Sequence, residues 1–163
     1  MFVESHIPLP VPLERAEAEI LQLLRGRGLA HRSAHAVGVG LQLMFVRPSL
    51  LPHRLAKLVS ATTGEMYAVG GTSVLPMHWA AVGPTARFFP ELDARIGLTP
   101  ADELTTVLSL VGTYRAPMGR LGAGLDAVAL SRVATATVDA FVNELAAKVR
   151  HGSATHAATP RSR

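Results

Sequence analysis

Hydrophobic and polar positions along the chain follow two different periods. Residues 2 to 9 alternate loosely and run into Pro8, Pro10 and Pro12. This predicts a short edge strand, stopped by residues that cannot donate to a ladder. A helix is expected next. Pro12 pre-sets a helical φ in the first turn, Glu14 and Glu17 complement the positive helix end, and Leu13, Ala16, Ile20, Leu23 and Leu24 form one stripe. Gly26 and Gly28 end it. From Leu29 to Pro52 the signal is mixed: a short helical pattern over Ala30 to Ala36, a Gly-spaced apolar run, then Pro48 and Pro52. The pattern assigns no element there.

From Arg54 the period becomes two, as half-buried antiparallel strands require. Turn chemistry bounds four segments: Leu55 to Thr63, Thr72 to Val82 after Gly70-Gly71, Leu92 to Thr99 after Pro90, and Leu104 to Tyr114 after Pro100-Ala101-Asp102. Glu65 to Val69 either extends the first or forms a strand of its own. Leu92, Ala94, Ile96 and Leu98 alternate with Asp93, Arg95 and Gly97, and Leu104, Leu108, Leu110 and Tyr114 repeat that phase. Leu75, Met77 and Trp79 share a face opposite His78, while Pro76 implies an edge position or a bulge.

The last element is a long amphipathic helix, roughly Met118 to Arg150, with Leu121, Leu125, Val128, Val138, Phe141, Leu145 and Val149 on one stripe. Gly119, Gly122 and Gly124 crowd its first turns, where each costs about 1 kcal/mol relative to Ala. His151 to Arg163 lacks periodicity and reads as a disordered tail. Residues 1–150 therefore read as one domain.

Strand, helix region, a run of antiparallel strands and one long C-terminal helix describe an α+β domain whose curved sheet wraps that helix. Three motifs carry a resemblance. They are Val74-Leu75-Pro76-Met77-His78-Trp79, Phe89-Pro90-Glu91-Leu92-Asp93-Ala94, and Tyr114-Arg115-Ala116-Pro117-Met118-Gly119 followed by Leu125-Asp126. In this order and spacing the chain, over about residues 54 to 147, resembles the helix-grip proteins of the SRPBCC or START-like superfamily, particularly small actinobacterial members without assigned function. Residues 29 to 53 depart from that pattern.

The resemblance implies a hydrophobic or amphipathic ligand, of lipid, polyketide or aromatic type, held between sheet and C-terminal helix. Some relatives are polyketide cyclases or aromatases, and others only carry ligands. The inward strand faces and the helix stripe make Met77, Trp79, Ile96, Leu108, Leu110, Leu125 and Val128 the expected contacts. For Met77 and Trp79 the alternative is ordinary core packing. Tyr114, Thr106, Lys57 and Tyr67 are the polar groups with inward phase or a case for one. Tyr114 either offers its hydroxyl to an oxygen-bearing ligand or fills the core and bonds a backbone carbonyl. A carrier needs only an apolar cavity with one or two orienting polar groups. A cyclase-like enzyme also needs an acid or base of tuned pKa, and the pattern puts no His or carboxylate on the inward face. The carrier is the preferred expectation, the cyclase or aromatase the alternative, and a structural module with a collapsed core the third.

Other chemistry finds little footing. His31 and His35 have metal-ligand spacing, but the Glu of a His-Glu-x-x-His site and a third ligand are missing, so no metal is expected. Gly38 and Gly40 lack the third Gly of a dinucleotide fingerprint, and no other cofactor is indicated. There is no nucleophile-elbow motif. By the pleat, His78 points outward; His6 and His53 have no identifiable partner. Asp93 with Arg95, and Asp126 with Arg132, are spaced for surface pairing.

Composition narrows the setting. The 163 residues contain no Cys, which removes disulfides, thiol nucleophiles and cysteine metal sites and makes a reduced cytoplasm the default. The longest nearly uncharged apolar run, Val37 to Val46, is too short for the roughly 20 residues of a membrane span. The start of the chain lacks a signal-peptide pattern. Net charge is +4, but Arg150, Arg161 and Arg163 sit in an acid-free end, so the body is close to neutral. With two Lys far apart and one Trp, a nucleic-acid footprint is not expected. Ile20 to Gly64 holds no carboxylate yet carries Arg47, Arg54 and Lys57 beside Phe45, Leu50 and Leu51. Residues 44 to 54 are read as a portal making weak contact with an anionic membrane, or as a solvated loop or homodimer contact.

Overall fold

A computed structural model describes residues 1–24, 59–81, 91–115 and 127–157. Strand β1 (Phe2–Leu9) leads into helix α1 (Leu13–Leu24). Pro12 stands at the helix cap rather than inside the first turn, because its carbonyl accepts the first two bonds, from the amides of Arg15 at 3.1 Å and Ala16 at 3.0 Å. Strands β2 (Val59–Thr63), β3 (Tyr67–Val69), β4 (Thr72–Ala81), β5 (Glu91–Pro100) and β6 (Thr106–Arg115) follow, and helix α2 (Ala127–Ala157) closes the described chain. The strands form one antiparallel sheet in the order β1-β6-β5-β4-β2, with β3 also paired to β4. The sheet is curved, and with α1 and α2 it makes an α+β, helix-grip-like fold. β1 is an edge strand, as its prolines require.

Local chemistry sets the connections. Gly70 and Gly71 both have positive φ, +56° and +80°, which is the type I′ geometry that joins β3 to β4 without splaying them. Glu65 to Val69 therefore contains a strand of its own. Between β5 and β6, the Asp102 carboxylate accepts from the Leu104 amide at 2.8 Å, an Asx turn that holds Leu104 outside the sheet and 70% exposed. The expected inward phase begins only at Thr106. Pro76 lies in an interior strand, but where β2 leaves off and β3 takes over. The ladder on that side runs from Val59 to Thr63 and resumes at Tyr67, so the missing N–H falls in the gap. Gly64 donates to the Pro76 carbonyl at 3.0 Å and bridges it.

Helix α2 packs on β1, β6 and α1. Its inner side buries Ala134, Val138, Phe141, Val142, Leu145, Ala146 and Val149 against the sheet. It also continues past Arg150 to Ala157, where a disordered tail was expected to begin. The reason is α1: Arg15 donates to the Gly152 carbonyl at 3.1 Å, and the Glu19 carboxylate lies where a side chain at 152 would be. A helical segment without an apolar stripe is thus docked through polar contacts. The expected start of this helix at Met118 and residues 158–163 lie outside the described residues, as do 55–58 and 82 of the expected strands.

A second close approach shapes the sheet. Gly112 on β6 pairs with Ala94 on β5 and Val3 on β1, and a side chain there would collide with the Asp93 carbonyl and the Ala94 side chain. The obstacle is backbone, which cannot swing aside. Gly112→Ala should therefore lower unfolding free energy by about 1–3 kcal/mol. Gly152→Ala meets only the end of a flexible Glu19 side chain and should change stability by less than about 1 kcal/mol. Urea unfolding of the two variants beside the parent checks the contrast.

Candidate functional site

The pleat divides β4, β5 and β6 into two sets of side chains. Trp79, Leu92 and Tyr114 make one inward row across three strands, followed by Met77, Ala94 and Gly112, then Leu75, Ile96 and Leu110, then Ser73, Leu98 and Leu108. Six expected contacts thus share the inner face: Met77, Trp79, Ile96, Leu108, Leu110 and Tyr114. None is more than 4% exposed. Leu125 lies outside the described residues; Val128 belongs to α2, but its side chain is not among those described.

The first row carries the polar chemistry. The Trp79 ring meets Phe141 of α2 edge-to-face, with centroids 5.1 Å apart and planes at 87°, a geometry worth about 0.5–1.5 kcal/mol beyond burial. Its indole Nε1 is buried without a hydrogen-bond partner among the described residues. The Tyr114 hydroxyl is also buried and makes no hydrogen bond of normal geometry. Its polar neighbour is Thr137 of α2, which lowers the Tyr114 pKa against the larger opposing effect of burial. The balance pushes that pKa up to about 12. Two N–H and O–H donors on one inner row therefore lack good acceptors. Leaving such a group buried costs about 1–3 kcal/mol, so each calls for a reason.

Sequence reasoning missed the helix's polar side of this row. Thr137 lies four residues before Phe141, which puts it on the same helical face; that spacing was a usable signal. Two further inward polar links had no signal. Ser5 of β1 donates to the Asp139 carboxylate at 2.7 Å, and Ser73 donates to Glu17 of α1. The inner side therefore does hold carboxylates, supplied by the helices, although the strand pattern placed none there. Thr106 is buried as expected and donates to the Val11 carbonyl at 2.9 Å, a structural role. Tyr67 is 44% exposed and does not face the core. Lys57, His31, His35, His53, Asp126 and residues 44–54 lie outside the described residues.

On the opposite face His78 points outward, as the pleat dictates. Its Nδ1 is 2.6 Å from Asp93 Oδ1 on the neighbouring strand. Asp93 is engaged by His78 and by Arg115, at 3.8 Å, rather than by Arg95. Residues i and i+2 of a strand stand about 6.5 Å apart, too far for an easy pair, whereas directly opposed residues meet. His6 also has a partner, Glu4, at 2.5 Å. A groove of about 600 Å³ lies on this outer face, bordered by His78, Asp93 and Arg95. Among the described residues no three His, Asp or Glu side chains cluster as a metal site, and no helix is long and apolar enough to cross a membrane.

The Tyr114 shift has a definite pH signature. Ionisation is easier in the unfolded chain, near pH 10, than in the folded one, near 12. The contribution to stability is therefore complete below pH 10 and is lost as pH rises from 10 towards 12, by about 2–3 kcal/mol in all. Tyr114→Phe should flatten this fall. The check is the difference between parent and variant in urea unfolding across pH 9 to 12, which cancels the other titrating groups.

No protein-family model matches the chain, and no curated protein matches it in sequence. Among solved structures, the chain is similar to a conserved protein from Geobacillus kaustophilus. Identity is 14% and TM-score 0.50, over 90% of this chain and 93% of that one. It also overlaps a hypothetical protein from Helicobacter pylori, at 13% identity and TM-score 0.44, over 88% and 87% of the two chains. A third overlap is with the ZhuI aromatase/cyclase from Streptomyces sp. R1128, at 15% identity and TM-score 0.32, over 92% and 96%. The last two are too loose to bear on function, and the first concerns fold alone: an α+β, helix-grip-like chain.

Proposed function

We propose that this protein binds a hydrophobic or amphipathic small molecule between the inner face of the sheet and α2, as a carrier or sensor. The supporting observation is the pair of buried donors without good acceptors, Trp79 Nε1–H and Tyr114 Oη–H, set in an otherwise apolar row. A ligand with an acceptor oxygen would satisfy either group while its apolar body displaced contacts with Met77, Ile96 and Leu110. The SRPBCC or START-like resemblance of the same strands points to the same class of ligand, lipid, polyketide or aromatic. Tyr114 then orients the ligand. With its pKa pushed up to about 12 it stays a neutral hydroxyl near pH 7, whereas acid–base catalysis works best with a pKa near the operating pH. A carrier is therefore favoured over a cyclase or aromatase. A cytoplasmic setting and the portal role of residues 44–54 belong to the same reading.

The experiment uses the single tryptophan of the chain as reporter. Native mass spectrometry of freshly purified protein identifies any copurified molecule. Panels of fatty acids, sterols and polycyclic aromatic ketones are then titrated while Trp79 emission and thermal unfolding are followed. A binder at 100 times its Kd should add about 2.7 kcal/mol of stability. Tyr114→Phe should weaken an oxygenated binder by about 0.5–1.5 kcal/mol, a loss read as the difference between the ligand-induced stabilisation of parent and variant. Unchanged emission and stability across the whole panel, with nothing copurified, would remove this reading.

A further inference from the structure

The groove of about 600 Å³ on the outer face is separate from the inner row. It runs across the strands between two adjacent outward rows, Thr62–His78–Asp93–Thr113–Phe2 and Pro76–Arg95–Val111. The pleat turns the Met77 and Ala94 side chains inward and Gly112 has none, so the floor between those rows is main chain. Its size suits a small ligand.

Three kinds of chemistry border it. Asp93 accepts at 2.6 Å from His78 Nδ1, since a carboxylate can only accept, which leaves Nε2 turned away from Asp93 and, in the neutral imidazole, an acceptor for a ligand. Arg95 makes no ion pair among the described residues. The acids around it are already engaged: Asp93 with His78 and Arg115, Glu91 with Arg115 at 3.0 Å, and Glu4 with His6. Arg95 is thus the cation left for a ligand. His78 and Arg95 are diagonal neighbours on adjacent strands, a spacing of about 7–8 Å. Pro76, Val111 and Phe2, which is 67% exposed, add apolar surface, and Thr62, Thr63 and Thr113 add hydroxyls.

We propose that this groove is a second ligand site, for a small carboxylate that bears a neighbouring hydroxyl and a compact apolar body. The carboxylate lies on the Arg95 guanidinium, which presents a planar fork of donors. The hydroxyl donates to His78 Nε2, and the apolar body covers Pro76, which stands opposite Arg95 and two residues from His78. The two sites stand back to back on one sheet, so this assignment does not rest on the reading of the inner face.

Mandelate carries all three features and is the probe; phenylacetate lacks the hydroxyl and 1-phenylethane-1,2-diol lacks the carboxylate. Each is titrated into the full chain while the His78 imidazole signals, assigned by loss in His78→Gln, and the backbone amides are followed by NMR. Mandelate should move the His78 signals and leave Trp79 emission unchanged, with phenylacetate binding several-fold more weakly and the diol at least about tenfold more weakly. Arg95→Gln should weaken mandelate at least about tenfold, and Arg95→Lys should restore part of the loss. Arg95 is exposed, and Trp79 emission confirms that each variant keeps its core. Equal binding of mandelate and the diol, an unchanged affinity in Arg95→Gln, or no movement of the His78 signals at the highest soluble concentration would overturn the assignment. Perturbation confined to Trp79 and Tyr114 would overturn it too, while supporting the inner site.

Discussion

Everything else in this molecule depends on the parity of the pleat in β4, β5 and β6. The three strands are in register over almost their full length, so Trp79, Leu92 and Tyr114 stand abreast, and so do Leu75, Ile96 and Leu110. Helix α2 can bury Phe141, Val142 and Leu145 only because all these side chains share one face. A slip of one residue in any strand would send its apolar set to solvent and bring His78, Asp93 or Arg95 under the helix. The burial of some twenty apolar side chains and the position of both polar sites are therefore consequences of one register.

The faces differ in how their polar groups are treated. Outside, His78, Asp93, Arg115 and Glu91 form a cross-strand chain in which the side chains of His78, Asp93 and Glu91 are 45%, 51% and 41% exposed. Water screens such pairs, and each is worth at most about 1 kcal/mol. They fix side-chain directions more than they stabilise the fold. Inside, Trp79 and Tyr114 keep donors in a dry environment, where a missing acceptor weighs more than an exposed ion pair contributes. The energetic tension of the molecule is concentrated in that row, next to the Thr137 hydroxyl of α2.

Two positions without normal side chains let the sheet take this shape. At Gly112 neighbouring backbone comes too close for any β-carbon, and at Pro76 the ladder hands over from β2 to β3 where an amide proton would have no use. Both border the outer groove. Shape on the outside and packing on the inside thus share one origin.

Period-two alternation was enough to determine the inward faces of β4, β5 and β6 and the outward direction of His78, the Gly70-Gly71 pair marked its turn, and spacings of three and four marked the apolar stripe of α2. Each is a local regularity, fixed by the pleat or the helical turn. The inner-face position of Met77, Trp79, Ile96, Leu108, Leu110 and Tyr114 could be read for the same reason. What two separate elements do when they meet leaves no such trace. The polar docking that carries α2 past Arg150 joins residues 15, 19 and 152. The Asp93–His78 contact joins two strands whose register no single segment encodes, so the sequence pointed instead to Arg95, its neighbour in the chain. The missing acceptors of Trp79 and Tyr114 are a property of the space around them. Periodicity assigns a side chain to a face; only the assembled structure decides what stands opposite it, because hydrogen bonds and ion pairs are set by distances between elements far apart in sequence.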